Sequence, residues 1–471
     1  MAATKVVIVG AGAVGFQLAK QLISENKDVV LIEKDPDVAR LVANKLDCMV
    51  VTGEGNKIET LRRAGTEGAQ YFISVTDSDE VNMIACGIVS SEFKVDFKVA
   101  RVRSVEYAAT KISQKGFLGI DYVVNPEIEA ARAIIRSIEH GAVSDIMLFE
   151  SSDVQIRNLT IDRHSPFRDK SLIDIDQMVD FSFLVAIILR NNRFLIPSGE
   201  TVIQEGDILY VAANGENFDK LFAKLGKHKS GLRKVIIVGG GNIGTLVAQS
   251  LLGEKKEHGL VRKLLSSFNP SYGKRSVKIV ERDYQRCKEL ADEFHEGLVI
   301  NADISDEGIF EEEHFINSDL VIATTDNQEL NIVTAIYAKS FGIKRSVALV
   351  NKGNYSNIAT HLGIDVAVSL KNSMVNTILK YIRRGNVRSV HSISDGQMEV
   401  LELNVETKSP SAGKRISDLP LPKDCLIVSI SRGSETIIPE GRNICMEGDH
   451  IIVIAKKSKT DKIEAMFTAA S

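Results

Sequence analysis

Short apolar runs alternate along this chain with longer stretches whose apolar positions fall at helical spacing. Val6–Val9 is a run of β-branched residues that reads as a buried strand. After Gly15, Phe16, Leu18, Ala19, Leu22 and Ile23 recur on one face of a helix. VVLIEKD (Val29–Asp35) predicts a second strand that ends in an acid. Cys48–Thr52, Tyr71–Thr76, Lys98–Arg103 and Asp121–Val124 predict four more, the last followed by Pro126 and an amphipathic helix to about His140. Strands alternating with helices imply a parallel, doubly wound sheet with right-handed crossovers.

From Asp145 to Leu225 the texture changes. Val and Ile alternate with polar residues and turn residues are frequent, which predicts a small β-rich lobe. Phe183–Leu189 reads as its buried strand, NNRFLIPSG as a hairpin, Glu205–Asp207 as a turn and Phe218–Leu225 as a closing helix. Gly226–Gly231 reads as a polar linker.

The whole pattern then recurs. Val235–Gly244 (VIIVGGGNIG) echoes Val6–Gly15 (VVIVGAGAVG), and VKIVERD (Val277–Asp283) echoes VVLIEKD. Ala302-Asp303 answers Gly53-Glu54, and Thr324–Asn331 answers Val75–Asn82. VALVNKGNY (Val347–Tyr355) answers VARVRSVEY (Val99–Tyr107), so Arg101 faces Leu349 and Arg103 faces Asn351. In the β-rich part, Pro197, Gly199, Gly206 and Asp207 align with Pro439, Gly441, Gly448 and Asp449. The chain is a tandem duplication of a two-lobed unit. Its expected domains are 1–140 and 233–385, each α/β with a doubly wound Rossmann-like parallel sheet. Each is followed by a small β-rich α+β lobe, at 145–226 and 390–471. The second copy alone carries an insertion near Gly253–Arg275. There Lys255, Lys256, Arg262, Lys263, Lys274 and Arg275 outnumber Glu254 and Glu257. It reads as a solvated loop, with contact to an acidic partner or to anionic headgroups as the alternative.

Each copy places Gly-x-Gly-x-x-Gly at the strand-to-helix turn: Gly10, Gly12, Gly15 with Ala11, Ala13, Val14 between them, and Gly239, Gly241, Gly244 with Gly240, Asn242, Ile243. The first glycine permits the tight turn, the second admits a pyrophosphate close to backbone, and the third lets helix pack on strand. The helix N-terminus then offers unpaired N–H groups and a positive dipole end. Glu33 and Glu281 close the second strands at the separation from the glycines at which a carboxylate accepts the adenosine ribose hydroxyls.

A length of 471 residues exceeds one ordinary core, which agrees with several lobes. A net charge of −4 argues against nucleic acid as a partner. No apolar run reaches the length of a bilayer span, and the N-terminus enters a strand at once, which predicts no signal peptide. The five cysteines, without C-x-x-C spacing, argue against a zinc site or disulfide framework and fit a reducing cytoplasm. An NAD-dependent oxidoreductase would need a proton donor beside the nicotinamide. The nine histidines show no catalytic spacing. The Tyr107–Lys111 and Tyr284–Lys288 pairs lie too close to the glycine motifs for a short-chain dehydrogenase.

Two such lobes, each with the glycine motif, the strand-end acid and a Thr-Asp-x-x-Glu-x-Asn stretch, and each followed by a small β-rich lobe, resemble the regulator of potassium conductance (RCK, or KTN) domains over nearly the whole chain. The resemblance implies a non-enzymatic regulatory subunit, peripheral on the cytoplasmic face of the cell membrane. It implies binding of NAD(H), with ATP or ADP as further ligands. It also implies assembly into a homo-oligomeric ring, dimer or tetramer, and gating of an integral-membrane potassium transporter subunit of the TrkH/TrkG type. The family's nucleotide contacts fall on Gly10–Gly15, Glu33, Gly53, Glu54, Val75, Thr76 and Arg101. In the second copy they fall on Gly239–Gly244, Glu281, Ala302, Asp303, Thr324 and Thr325. Leu349 departs from the pattern because it has no guanidinium for phosphate, and Lys352 is the candidate replacement.

Overall fold

The computed structural model describes residues 4–104, 107, 116–139, 147–149, 152–191, 193–225, 232–253, 275–306, 308–351, 353–382, 387–393, 397–433 and 435–468. The linker Gly226–Gly231, Lys111, Lys352 and all but the two ends of the Gly253–Arg275 insertion lie outside the described residues.

The first lobe runs β1 (Lys5–Val9), α1 (Ala13–Ser24), β2 (Asp28–Glu33), α2 (Pro36–Ala43), β3 (Met49–Thr52), α3 (Ile58–Arg63), β4 (Tyr71–Ser74), α4 (Asp79–Glu92), β5 (Phe97–Arg101), β6 (Tyr122–Val124) and α5 (Pro126–Glu139). Its six strands pair in parallel in the order β3-β2-β1-β4-β5-β6. This is the doubly wound order, with its reversal between β1 and β4. Local chemistry sets the boundaries. Asp35 caps α2 by accepting from the N–H groups of Asp37 and Val38, and Ser78 caps α4 through Val81 N–H. The fourth and fifth strands stop short of their expected ends. Thr76 N–H turns to the Asn82 side chain, and Asp79 takes the N–H groups of Arg103 and Ser104, which draws that backbone out of the ladder.

The β-rich lobe that follows contains β7 (Met147–Phe149), β8 (Ser152–Thr160), α6 (Leu172–Gln177), β9 (Leu184–Arg190), β10 (Arg193–Leu195), β11 (Ile208–Asn214) and α7 (Gly215–Lys224). Its sheet is antiparallel and five-stranded, in the order β10-β9-β11-β8-β7. The expected hairpin is β9–β10, with Leu189 opposite Phe194. Asp207, 1% exposed, receives Nε and Nη2 of Arg190 at 2.8 and 2.7 Å and the N–H of Gln204.

The second copy repeats both lobes: β12 (Lys234–Val238), α8 (Asn242–Leu252), β13 (Ser276–Glu281), α9 (Tyr284–Glu293), β14 (Leu298–Asn301), α10 (Ile309–Glu312), β15 (Leu320–Ala323), α11 (Gln328–Ser340), β16 (Arg345–Val350), α12 (Gly353–His361), β17 (Val366–Ser369) and α13 (Leu370–Ile382), then β18 (Val387–Ile393), β19 (Met398–Asn404), β20 (Cys425–Arg432), β21 (Glu435–Ile437), β22 (His450–Lys456) and α14 (Thr460–Phe467). The parallel sheet has the order β14-β13-β12-β15-β16-β17, and the antiparallel one β18-β19-β22-β20-β21. Arg432 and Asp449 repeat the fork onto a buried carboxylate at 2.7 Å on both sides.

Packing groups the lobes by kind rather than by order in the chain. One compact unit holds the two parallel-sheet lobes and the other holds the two β-rich lobes. In the first unit, α13 of the second lobe supplies part of the layer over the first sheet. Met374, Val375, Ile378, Leu379 and Ile382 share a core with Ile8, Leu18, Leu22, Val29 and Leu31. Tyr381 stacks on Phe97 with centroids 5.6 Å apart and lies 4.1 Å from the ring of Tyr122, and Thr377 donates to Glu129 at 2.8 Å. A sheet must cover both apolar faces, and here one face of the first sheet is closed partly by the other copy. In the second unit the two β-rich sheets bury Ile156, Ile187 and Tyr210 together with Val400, Val428 and Ile454.

Candidate functional site

The site in each parallel-sheet lobe starts at the turn after the first strand. Gly10 has φ +97°, and a Cβ there would lie 3.1 Å from the backbone N of Thr76. A Cβ on Gly15 would lie 1.9 Å from the carbonyl oxygen of Gly10. Both glycines are therefore demanded by the chain's own packing. Gly12 differs. It is the N-cap of α1 with φ −63°, it is exposed, and nothing lies within 4 Å of its Cβ position. Any residue could adopt that backbone, so the protein itself leaves the space beside the helix N-terminus open.

The acid and the polar loop close around this turn. Glu33 accepts the N–H of Ala11 at 2.7 Å and that of Asp35 at 3.0 Å, which leaves lone pairs on the carboxylate for further donors. Gly53 follows β3 and donates its N–H to the Glu33 carbonyl at 2.8 Å. Glu54 sits at the rim, 3.7 Å from Lys57. Val75 is buried and Thr76 stands at the end of β4, against Gly10. Thr76 is held by Asn82, a fully buried residue of α4. The Asn82 Oδ1 accepts from Thr76 N–H (2.8 Å), Thr76 Oγ1 (2.8 Å) and Ser74 Oγ (2.9 Å). Its Nδ2 donates to the carbonyls of Thr76 (3.2 Å) and Arg101 (3.0 Å).

Arg101 ends β5 and points its Nη1 at the Thr76 carbonyl, 3.3 Å away. Its Nε is buried and has no hydrogen-bond partner among the described residues. Burial, reinforced by Arg103 and opposed by Asp79 and Asp77, pushes the guanidinium down to about 10, so it stays charged at neutral pH. A partly desolvated cation with a buried, unused donor is costly unless an anion meets it. The glycine turn, Glu33, Thr76 and Arg101 thus come together at the carboxyl ends of β1, β2, β4 and β5, at the point where strand order reverses.

The second lobe rebuilds most of this. Gly239 has φ +99°, Gly244 abuts the Gly239 carbonyl, and Gly241 is exposed with open space beside it. Gly240 N–H is bound by Glu281 at 2.7 Å, and Thr324 Oγ1 donates to the Val238 carbonyl at 3.1 Å. Asn331 holds Thr325 and the Leu349 carbonyl as Asn82 holds Thr76 and Arg101. Among the described residues Asp303 makes no hydrogen bond to the turn. Its carboxylate is taken by Ser305, which lowers its pKa below the usual range. Ile243 is buried in α8, and Asn242 donates to Glu127 of the first lobe at 2.9 Å. Leu349 is 6% exposed.

Some residues of the site carry no role in the sequence reading. Asn82 and Asn331 occur in the repeated Thr-Asp stretch as pattern only, and their hidden signal was identity at the same place in both copies. Arg286 has no such signal, because Val38 stands at its place in the first copy. It donates to the Gly240 carbonyl at 2.8 Å, to Thr245 Oγ1 at 3.0 Å and to Glu289 at 2.7 Å. Tyr284 is 63% exposed and Lys288 Nζ lies 4.5 Å above its ring centroid. No helix among the described residues is long and apolar enough to cross a membrane.

The TrkA-N domain model matches residues 6–126 and 258–370, and the TrkA-C domain model matches residues 156–226 and 400–468. The chain is similar to the Trk system potassium uptake protein TrkA of Azorhizobium caulinodans, 32% identical over 98% of each chain. It is also similar to that of Vibrio alginolyticus, 30% identical over 98% of each, and to TrkA homolog 1 of Methanosarcina mazei, 29% identical over 98% of this chain and 100% of the relative. In fold it resembles the GsuK channel bound to NAD (TM-score 0.56, 19% identity, 98% of this chain and 79% of that one). It resembles the GsuK RCK domain equally (TM-score 0.56, 18% identity, 98% and 95%).

Proposed function

The chain belongs to the TrkA family of Trk system potassium uptake proteins, and from that premise we propose that it is a non-enzymatic regulatory subunit. It binds NAD(H), or ATP and ADP, and gates an integral-membrane potassium transporter subunit of the TrkH/TrkG type from the cytoplasmic face. Domains 1–140 and 233–385 hold the nucleotide sites, and 145–226 and 390–471 are the β-rich lobes. The observation that carries the reading is Arg101, a half-buried guanidinium with a buried, idle Nε at the switch point of a doubly wound sheet. A phosphate chain laid on the α1 N-terminus supplies the anion it lacks. The roles of the relatives in potassium uptake and the NAD on the GsuK neighbour support the same ligand and process.

Gating follows by population shift. The ligand binds one arrangement of a ring, dimeric or tetrameric in this chain, better than another, and the ring transmits that difference to the transporter. Glu33, Gly53, Glu54, Val75, Thr76 and their second-lobe counterparts Glu281, Ala302, Asp303, Thr324 and Thr325 are the proposed contacts around the glycine turns.

Arg101→Ala is expected to weaken binding of ADP or NAD at the first site by about 1.5–3 kcal/mol, the range of a hydrogen bond to a charged group. Calorimetric titration of the full chain that shows no loss removes Arg101 from the site. For the partner, the tagged chain is recovered from native membranes in mild detergent. A multi-span potassium transporter is expected to co-purify. Recovery of soluble material alone, with reproducible NAD(H) turnover, overturns the regulatory reading in favour of an oxidoreductase.

A further inference from the structure

The two glycine turns are copies in backbone but differ in the charged groups around the place where a phosphate chain would lie. At the end of the fifth strand, Arg101 in the first lobe is answered by the buried Leu349 in the second. The lobe interface adds a second difference. Asn242, the first residue of α8 and a member of the second glycine motif, donates to the carboxylate of Glu127 on α5 of the first lobe, 2.9 Å away. A carboxylate is thus fixed beside the helix N-terminus that would receive phosphate. Aligning DYVVNPEIE with DVAVSLKNS places Lys371 at the counterpart of Glu127, on α13, which packs against α1 of the first lobe. The position that holds Glu127 beside the second turn is therefore a lysine in the other copy.

A third difference lies at the sugar end. In the first lobe Phe16 and Val38 pack against the apolar core. Their counterparts Thr245 and Arg286 bond instead to the turn. Gly240 gives its N–H to Glu281 and receives both Arg286 Nε and Thr245 Oγ1 on its carbonyl. The remaining Arg286 nitrogens go to Thr245 and Glu289. The guanidinium is spent on the protein, and what it does is hold the Glu281–Gly240 edge rigid. That edge is where a ribose would hydrogen-bond. Arg282 and Lys34 are matched exposed cations just after the two acids and do not distinguish the sites.

We propose that the two pockets take different ligand classes. The first selects adenine nucleotides by their phosphate chain, and the second takes adenosine or its monophosphate by the sugar edge, with affinity that further phosphates barely change. This rests on the proposed function and assigns one ligand chemistry to each half of the duplication. Arg286, Glu127 and Leu349 are its specificity-determining residues.

Single-site forms of the full chain test it. Gly12→Asp and Gly241→Asp place a carboxylate in open space on backbone with φ −63° and −66°, which any residue adopts. Each is titrated calorimetrically with adenosine, AMP, ADP and NAD. Gly241→Asp, with the first site intact, is expected to bind ADP about 10- to 100-fold more tightly than adenosine, the span of a charge-assisted hydrogen bond. Gly12→Asp, with the second site intact, is expected to bind adenosine, AMP and ADP within about 3-fold of one another. Adding Leu349→Arg to Gly12→Asp is expected to restore a preference for ADP of about 10-fold. Should Gly12→Asp not fold, Arg101→Ala replaces it, and adenosine binding is expected to survive while the ADP preference falls.

Equal phosphate dependence in the two single-site forms overturns the inference and leaves the proposed function standing. So does a second site that binds nothing, or a phosphate preference there that disappears with Lys352→Ala. Failure of the unaltered chain to bind any of the four ligands overturns the proposed function itself.

Discussion

Asn82→Ala is expected to destabilise the first parallel-sheet lobe by about 3–5 kcal/mol and to remove nucleotide binding there while the second lobe keeps it. The residue is fully buried and takes part in five hydrogen bonds. Alanine removes them all and leaves the buried Ser74 hydroxyl and the half-buried Thr76 N–H and Arg101 carbonyl without their partner. An orphaned buried group costs about 1–3 kcal/mol, and one buried and two half-buried groups are left here. The loss of function has a separate cause. Asn82 ties the end of β4 to the end of β5, so it sets the distance between the glycine turn, which abuts Thr76, and the guanidinium of Arg101. Urea unfolding followed by circular dichroism measures the stability, and titration with ADP measures the site. A loss below about 1 kcal/mol would mean that water replaces the side chain, and the network would then not be what positions Arg101. Asn331→Ala is the internal control, since it makes the same break in the second lobe.

The architecture was legible because it is written twice. Alternation of β-branched runs with helical spacing located the strands, and the echo of each run removed the ambiguity that a single short apolar stretch carries. Turn residues with a steric reason, such as Gly10 and Gly15, were legible for the same cause. What stayed hidden depends on contacts between residues far apart in sequence. The covering of the first sheet by Met374, Ile378 and Tyr381 belongs to another copy of the repeat, and a local pattern says only that α13 has an apolar face. The grouping of lobes by kind is invisible for that reason. Arg101 was expected from resemblance alone, and its idle Nε is a fact of three-dimensional burial. Arg286 was missed because duplication reveals sameness, whereas this residue matters as a difference from Val38.

The paired aspartates of the β-rich lobes were aligned in sequence without a role, and their stability effect is the other large one. Asp207→Ala is expected to cost about 3 kcal/mol, toward the lower end of the range for breaking a buried ion pair. The carboxylate is 1% exposed and receives both forks of Arg190, and the pairing holds the guanidinium above its usual range. It also accepts Gln204 N–H, so the Glu205–Asp207 turn into β11 loses its lock. Arg190 keeps 23% of its side chain exposed, and Arg432 in the second copy keeps 45%. The better hydrated arginine is less stranded when its partner leaves. Asp449→Ala is therefore expected to cost less, about 2 kcal/mol. Hydrogen exchange over Ile208–Asn214 and His450–Lys456 resolves the two lobes in one full-length protein. The pairing also has a test that loss of packing alone does not pass. Arg190→Met combined with Asp207→Leu removes both charges at similar volume and is expected to recover most of the loss, because no buried charge is left unpaired. A double variant less stable than Asp207→Ala would show that the fork itself, rather than relief of a stranded charge, holds β9 to the turn.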